Sequence, residues 1–84
     1  MTYKQRIKKC KKLLRRGDVQ AIANETNVSK QTVYNMFNRD QQCKLKEAEE
    51  RAFQAMISLL SKRSQSLPEN ERKPFEEVIY GIVK

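Results

Sequence analysis

One stretch constrains this chain more than any other, Val19 to Asn38, reading VQAIANETNVSKQTVYNMFN. Asp18, just before it, is a good helix N-cap, and Ile22 with Ala23 gives the helix it opens an apolar face. That helix is expected to stop near Thr26 and Asn27, because asparagine is the commonest residue after glycine to accept left-handed backbone at a tight turn. Val28 then plugs the turn. Ser29 is a second N-cap, opening a helix whose inward positions are Val33, Met36 and Phe37. Two short helices joined this closely, with the small Ala23 where they cross, must bury their apolar faces against further helices.

Composition points the same way. The chain of 84 residues has no histidine or tryptophan and only two glycines, and its charged, helix-favouring make-up implies an all-α protein. A single domain of this size buries only about 60–65% of the unfolded surface, so its stability margin is small and an obligate dimer is physically reasonable. No apolar run approaches the roughly 18 residues of a membrane span, and the basic N-terminus lacks the apolar core of a secretory signal. The expected location is the cytoplasm.

The net charge of +8 is unevenly placed. Residues 1–44 hold eleven basic and three acidic side chains, whereas residues 45–84 hold seven of each. The chain therefore divides into a basic head, about 1–40, and a neutral helical body, about 41–84, within one domain. A cationic head on a neutral body suits a polyanionic partner. Within the head, Tyr3, Ile7, Cys10, Leu13 and Leu14 form one apolar stripe of a helix running from Tyr3 to Arg16, with lysines and arginines on its other faces. Arg15 and Arg16 suit the negative end of the helix dipole, and Gly17 is a natural stop.

The segment from Val19 to Asn38 resembles the helix-turn-helix of bacterial and phage DNA-binding proteins. The match includes Ile22-Ala23, Val28 after the turn, and Val33 and Met36 facing the core. It departs at the turn, where the family usually has glycine and this chain has Asn27. The resemblance implies a three-helix head, about residues 3–39, whose last helix reads the major groove of duplex DNA. Helical geometry puts Lys30, Gln31, Tyr34, Asn35 and Asn38 on the outer face of that helix. Lys30 can donate to guanine O6 or N7, Gln31 and Asn35 can pair with adenine, and Tyr34 can pack on a thymine methyl. Ser29 and Thr32 at the helix start, Gln20 on the preceding helix, Arg39 at the far end, and Lys8 and Lys12 on the first helix are the expected phosphate contacts.

Beyond Arg39, Asp40 is placed to cap a long helix from Gln41 to about Ser64, with glutamates near its start and Lys62 and Arg63 near its end. It carries two apolar strips: Leu45, Ala48, Ala52, Ala55 or Met56 and Leu59 in one, Phe53, Ile57 and Leu60 in the other. One strip is expected to pack on the head and the other to meet either the chain's own last segment or a second protomer. After a break at Ser66-Leu67-Pro68, Pro74 is tolerable only in a first helical turn, so the last helix is expected to begin there. Phe75, Val78, Ile79, Ile82 and Val83 give it a strong apolar face, which Gly81 weakens. A homodimer joined through Phe53, Ile57, Leu60, Val78, Ile79 and Ile82 is the expectation, because operators are commonly read by two-fold pairs.

Catalysis finds no support. There is no imidazole, Cys10 and Cys43 lack zinc-ligand spacing, and no glycine-rich phosphate loop is present. No cofactor or metal is expected. The reading is a sequence-specific DNA-binding regulator. An accessory factor for recombination or excision, and a protein- or RNA-interaction module with a basic head, stand beside it; a membrane-surface role for the first helix is disfavoured because its apolar stripe is needed for the core.

Overall fold

A computed structural model describes residues 2–80. Those residues form an all-α fold of five α-helices and one short 3₁₀ turn: α1 Tyr3–Leu13, α2 Asp18–Thr26, α3 Lys30–Asn38, the 3₁₀ turn Gln42–Lys44, α4 Glu47–Gln65 and α5 Glu69–Tyr80. Their Cα radius of gyration is 12.3 Å.

Helix α1 opens with a reciprocal cap. Thr2 Oγ1 accepts from the Gln5 N–H at 3.2 Å, and Gln5 Oε1 accepts from the Thr2 N–H at 3.0 Å. The helix ends at Leu13, not Arg16, because Leu14 turns extended and the chain swings towards α2. Arg15 and Arg16 therefore lie in the connection, and Lys11 and Lys12 occupy the last turn. Gly17, at φ +91°, fills the N-cap position of α2 expected of Asp18. Asp18 is instead the first helical residue. Its carboxylate accepts the Arg15 N–H and receives a two-pronged bond from Arg63 of α4, Nη1 to Oδ2 at 2.9 Å and Nη2 to Oδ1 at 3.0 Å.

The turn between α2 and α3 forms where expected. Asn27 takes the left-handed conformation, φ 57° and ψ 39°, and the Val28 N–H donates to Ala23 O at 3.0 Å. Ser29 caps α3, its Oγ accepting from the Thr32 N–H at 3.2 Å. Val33 and Met36 are fully buried and Phe37 is half-buried.

Helix α4 starts later than expected, at Glu47, after the 3₁₀ turn. Asp40 does not cap it but approaches Lys4 at 3.5 Å. Glu49 turns back to accept the Lys46 N–H at 3.1 Å and so ties down the first turn. Helices α2, α3 and α5 all pack on α4, which explains why α4 carries more apolar residues than one face requires. Ala52, Phe53, Met56 and Leu60 form the centre of the core with Ile22, Val33, Met36 and Val78.

Helix α5 begins at Glu69, a turn and a half before Pro74, so the proline lies inside it. Glu69 and Glu71 supply negative charge to its first turn, where the unpaired N–H groups favour it. Phe75 and Val78 are buried against α4, and Ile79 is partly buried. The far end of α5 is held by α1: Arg6 donates from Nε to Val78 O at 2.6 Å and from Nη2 to Ile79 O at 2.8 Å, with its guanidinium 5.1 Å from the centre of the Phe53 ring. Gly81, Ile82 and Val83 lie outside the described residues.

This packing corrects the expected dimer surface. Phe53, Leu60 and Val78 are buried within a single chain, at 2%, 0% and 0% exposure, with Tyr3 and Arg6 of α1 against the Phe53 ring and α5 packed on α4. Of the six residues expected at a two-fold interface, Ile57 and Ile79 are only half-buried, and Ile82 lies outside the described residues.

Candidate nucleic-acid interface

The register of α3 decides what its outer face presents. Burial of Val33 and Met36 turns Lys30, Gln31, Tyr34 and Asn38 outward, and all four are exposed; Asn35 is half-buried. Tyr34 is one of the few large apolar side chains left in water, at 47% exposure, and its ring meets Phe37 edge-on with centroids 6.2 Å apart. Gln31 donates from Nε2 to Asn35 Oδ1 at 3.0 Å, which orders two amides along one side of the helix. No acidic residue lies on α3.

The start of α3 is polar. Ser29 Oγ lies 3.1 Å from Thr32 Oγ1 as well as accepting the Thr32 N–H, so both hydroxyls sit where the free N–H groups of the first turn gather. Ser29 is exposed and Thr32 half-buried. Gln20 is exposed on α2 and bonds along its own helix, donating to Asn24 Oδ1 at 2.7 Å.

Arg39 is held within the fold by an ion pair. Its Nε and Nη2 donate to Glu49 Oε1 and Oε2, both at 2.9 Å, so the guanidinium is a strut between the end of α3 and the start of α4. The carboxylate accounts for this, since Glu49 is buried and draws the nearest fork-shaped donor. These hydrogen bonds hold the Glu49 carboxyl below the usual carboxylate range.

Lys8 and Lys12 are exposed on α1, and both line an open groove closed on one side by Phe37 of α3. Two lysines not singled out from sequence share it. Lys4 and Lys11 line the same flank, and Lys11 Nζ stands 5.6 Å from the Phe37 ring centre. Positions 4, 8, 11 and 12 recur at helical spacing, so the strip itself was readable. That this flank faces α3 required the tertiary packing. At the near end of α1, the Tyr3 hydroxyl donates to Met36 O at 2.8 Å, which fixes α1 against the last turn of α3. Burial pushes that hydroxyl's pKa above its ordinary value, so it remains a donor.

The arrangement is thus an acid-free helix face of amides, one lysine and one tyrosine, flanked by a lysine-lined groove. Such a face can exchange hydrogen bonds with base edges, and the lysines can neutralise phosphates. No protein-family model matches this chain, and neither a curated protein nor a solved structure matches it. No helix among the described residues is long and apolar enough to cross a membrane.

Proposed function

We propose that this chain binds duplex DNA sequence-specifically and acts as a small transcriptional regulator, with α2 and α3 serving as a helix-turn-helix. In this reading α3 enters the major groove. Gln31 and Asn35 pair with adenine, Lys30 donates to guanine, Tyr34 covers a thymine methyl, and Asn38 meets the last base pair reached. Ser29, Thr32 and Gln20 take phosphates beside the helix start, and Lys8 and Lys12 take phosphates across the flank.

The observation that carries the reading is the contrast on α3. Val33 and Met36 are completely buried, while Lys30, Gln31 and Asn38 on the same helix remain exposed. A helix merely closing a core has no need of an outer face rich in amides and free of acids. The basic head adds the long-range attraction that speeds encounter with DNA. An accessory role in recombination or excision uses the same face and differs only in what the bound site controls. A two-fold pair would read half-sites about 34–36 Å apart, and of its expected contacts Ile57 and Ile79 remain to supply it.

Selection from a pool of random duplex DNA tests the proposal. A regulator returns a defined motif, whereas a non-specific polyanion binder returns the pool unchanged. Native mass measurement on the selected duplex gives the number of chains per site.

A further inference from the structure

The groove beside α3 has a character that a phosphate backbone does not require. It lies on the flank of α1 opposite the side where Arg6 and Lys9 reach α5. Lys4, Lys8, Lys11 and Lys12 line it, together with Ile7 and the half-buried ring of Phe37, around a volume of about 530 Å³. Lys4 to Lys12 spans about 12 Å along the helix axis, at 1.5 Å per residue. None of its lining residues is acidic. Lys8, Lys11 and Lys12 have no ion-pair partner among the described residues, and the Lys4–Asp40 pair is exposed on both sides, so it exchanges with other charges at little cost.

Four cations and Gln5 around one half-buried aromatic ring call for a ligand that is both anionic and apolar. A phosphodiester strand answers the lysines and leaves the Phe37 ring uncovered. A lone small anion fills little of a groove this long. A short acidic peptide carrying one aromatic or branched apolar residue answers both demands: its carboxylates meet the rim, and its anchor meets Phe37 between the lysine stems. We propose that this groove is a docking site for an acidic, aromatic-anchored segment of a partner protein. Because Lys8 and Lys12 belong to it, such a partner would compete with any polyanion that uses the same lysines.

The test uses the full chain and a peptide of about twelve residues, made of glutamates around one central phenylalanine. Backbone amide resonances and fluorescence anisotropy report binding. The expected result is a set of shifts centred on Lys8, Lys11 and Phe37. Affinity should fall about tenfold when the peptide's phenylalanine becomes alanine, and about tenfold again in the Lys8→Glu, Lys11→Glu double variant. Both positions are exposed, so that variant keeps its core, and unchanged thermal melting verifies this. Gln31→Ala should leave peptide binding unaltered, which separates this site from base reading by α3. Equal binding of the peptides with and without phenylalanine would reduce the groove to a charge surface and overturn the proposal. So would shifts centred on Gln31 and Asn35.

Discussion

Arg39 and Glu49 meet fork to fork, with both nitrogen–oxygen distances at 2.9 Å, across the turn that separates α3 from α4. The two partners are unequally covered: the Glu49 side chain is 3% exposed and that of Arg39 is 35% exposed. Their removal should therefore be unequal. Arg39→Ala leaves a buried carboxylate without its counter-charge, whereas Glu49→Gln leaves a guanidinium that water can reach. The expected outcome is a larger fall in Tm for Arg39→Ala, with Arg39→Lys intermediate because an ammonium cannot make the fork. Thermal melts of the three variants check it.

Acid should unfold the chain through two carboxyls. Hydrogen bonds from Arg63, then the Arg15 N–H, hold Asp18 below its ordinary pKa, and those from Arg39 do the same for Glu49. Because both folded values lie below the unfolded ones, the stabilisation is complete at neutral pH. It begins to decline near the unfolded values of about 4 and is lost as pH falls through the folded values. Urea melts over a pH series should show that decline in the parent and a flatter acid limb in the Asp18→Asn, Glu49→Gln double variant. The Asp18→Asn change should also cost roughly 2 kcal/mol at neutral pH, since it removes the counter-charge and one of the two acceptors of Arg63.

Asn27 holds the only positive φ among the described residues other than glycine. A β-branched side chain there would meet the left-handed penalty, so Asn27→Val should destabilise by about 1–2 kcal/mol. Asn27→Gly should be close to neutral, because glycine relieves the residual strain but loosens the unfolded chain. Chemical denaturation of both variants distinguishes these outcomes.

The two thiols should differ sharply in reactivity. Cys10 is fully buried, and that burial pushes its thiol up to about 11, whereas Cys43 is exposed on the 3₁₀ turn. A thiol reagent at neutral pH is expected to modify Cys43 in the folded protein and to reach Cys10 only on unfolding. Mass spectrometry with and without denaturant reads this directly.

Base reading and phosphate contact should separate by mutation. Gln31→Ala or Asn35→Ala is expected to lower discrimination between the selected motif and a single mismatch by about 1–3 kcal/mol. Lys12→Ala should weaken every sequence alike and reduce the slope of log K against log salt by about 0.9. Titrations at several salt concentrations, on matched and mismatched duplexes, give both quantities.

The features legible in the sequence are those that local chemistry determines. Ser29 caps α3 and Asn27 turns the chain because each acts on backbone within a few residues of itself. The inward set of Val33 and Met36 followed from helical spacing alone. What escaped was set at long range. Asp18 resembles an N-cap until Arg63, 45 residues away, is brought to it by α4. Nor does the sequence show that Glu49, ten residues on, takes two nitrogens of Arg39. Pro74 resembles a helix start because its ring disfavours an interior position, yet packing of Phe75 and Val78 on α4 carries α5 through it. The apolar excess on α4 correctly announced a second helical partner, but periodicity does not say whose helix it is.

Arg6 also bears on how the chain is made. Its bonds to Val78 and Ile79 join residues 72 and 73 positions apart, so α1 finds its resting place on a helix made much later. While the ribosome still holds α5, the basic N-terminal segment lacks that clasp, and α4 lacks the apolar cover of Phe75 and Val78. Native assembly of this fold therefore awaits α5, and a truncation before residue 75 leaves a cationic fragment with an open apolar seam, a natural target for proteolysis.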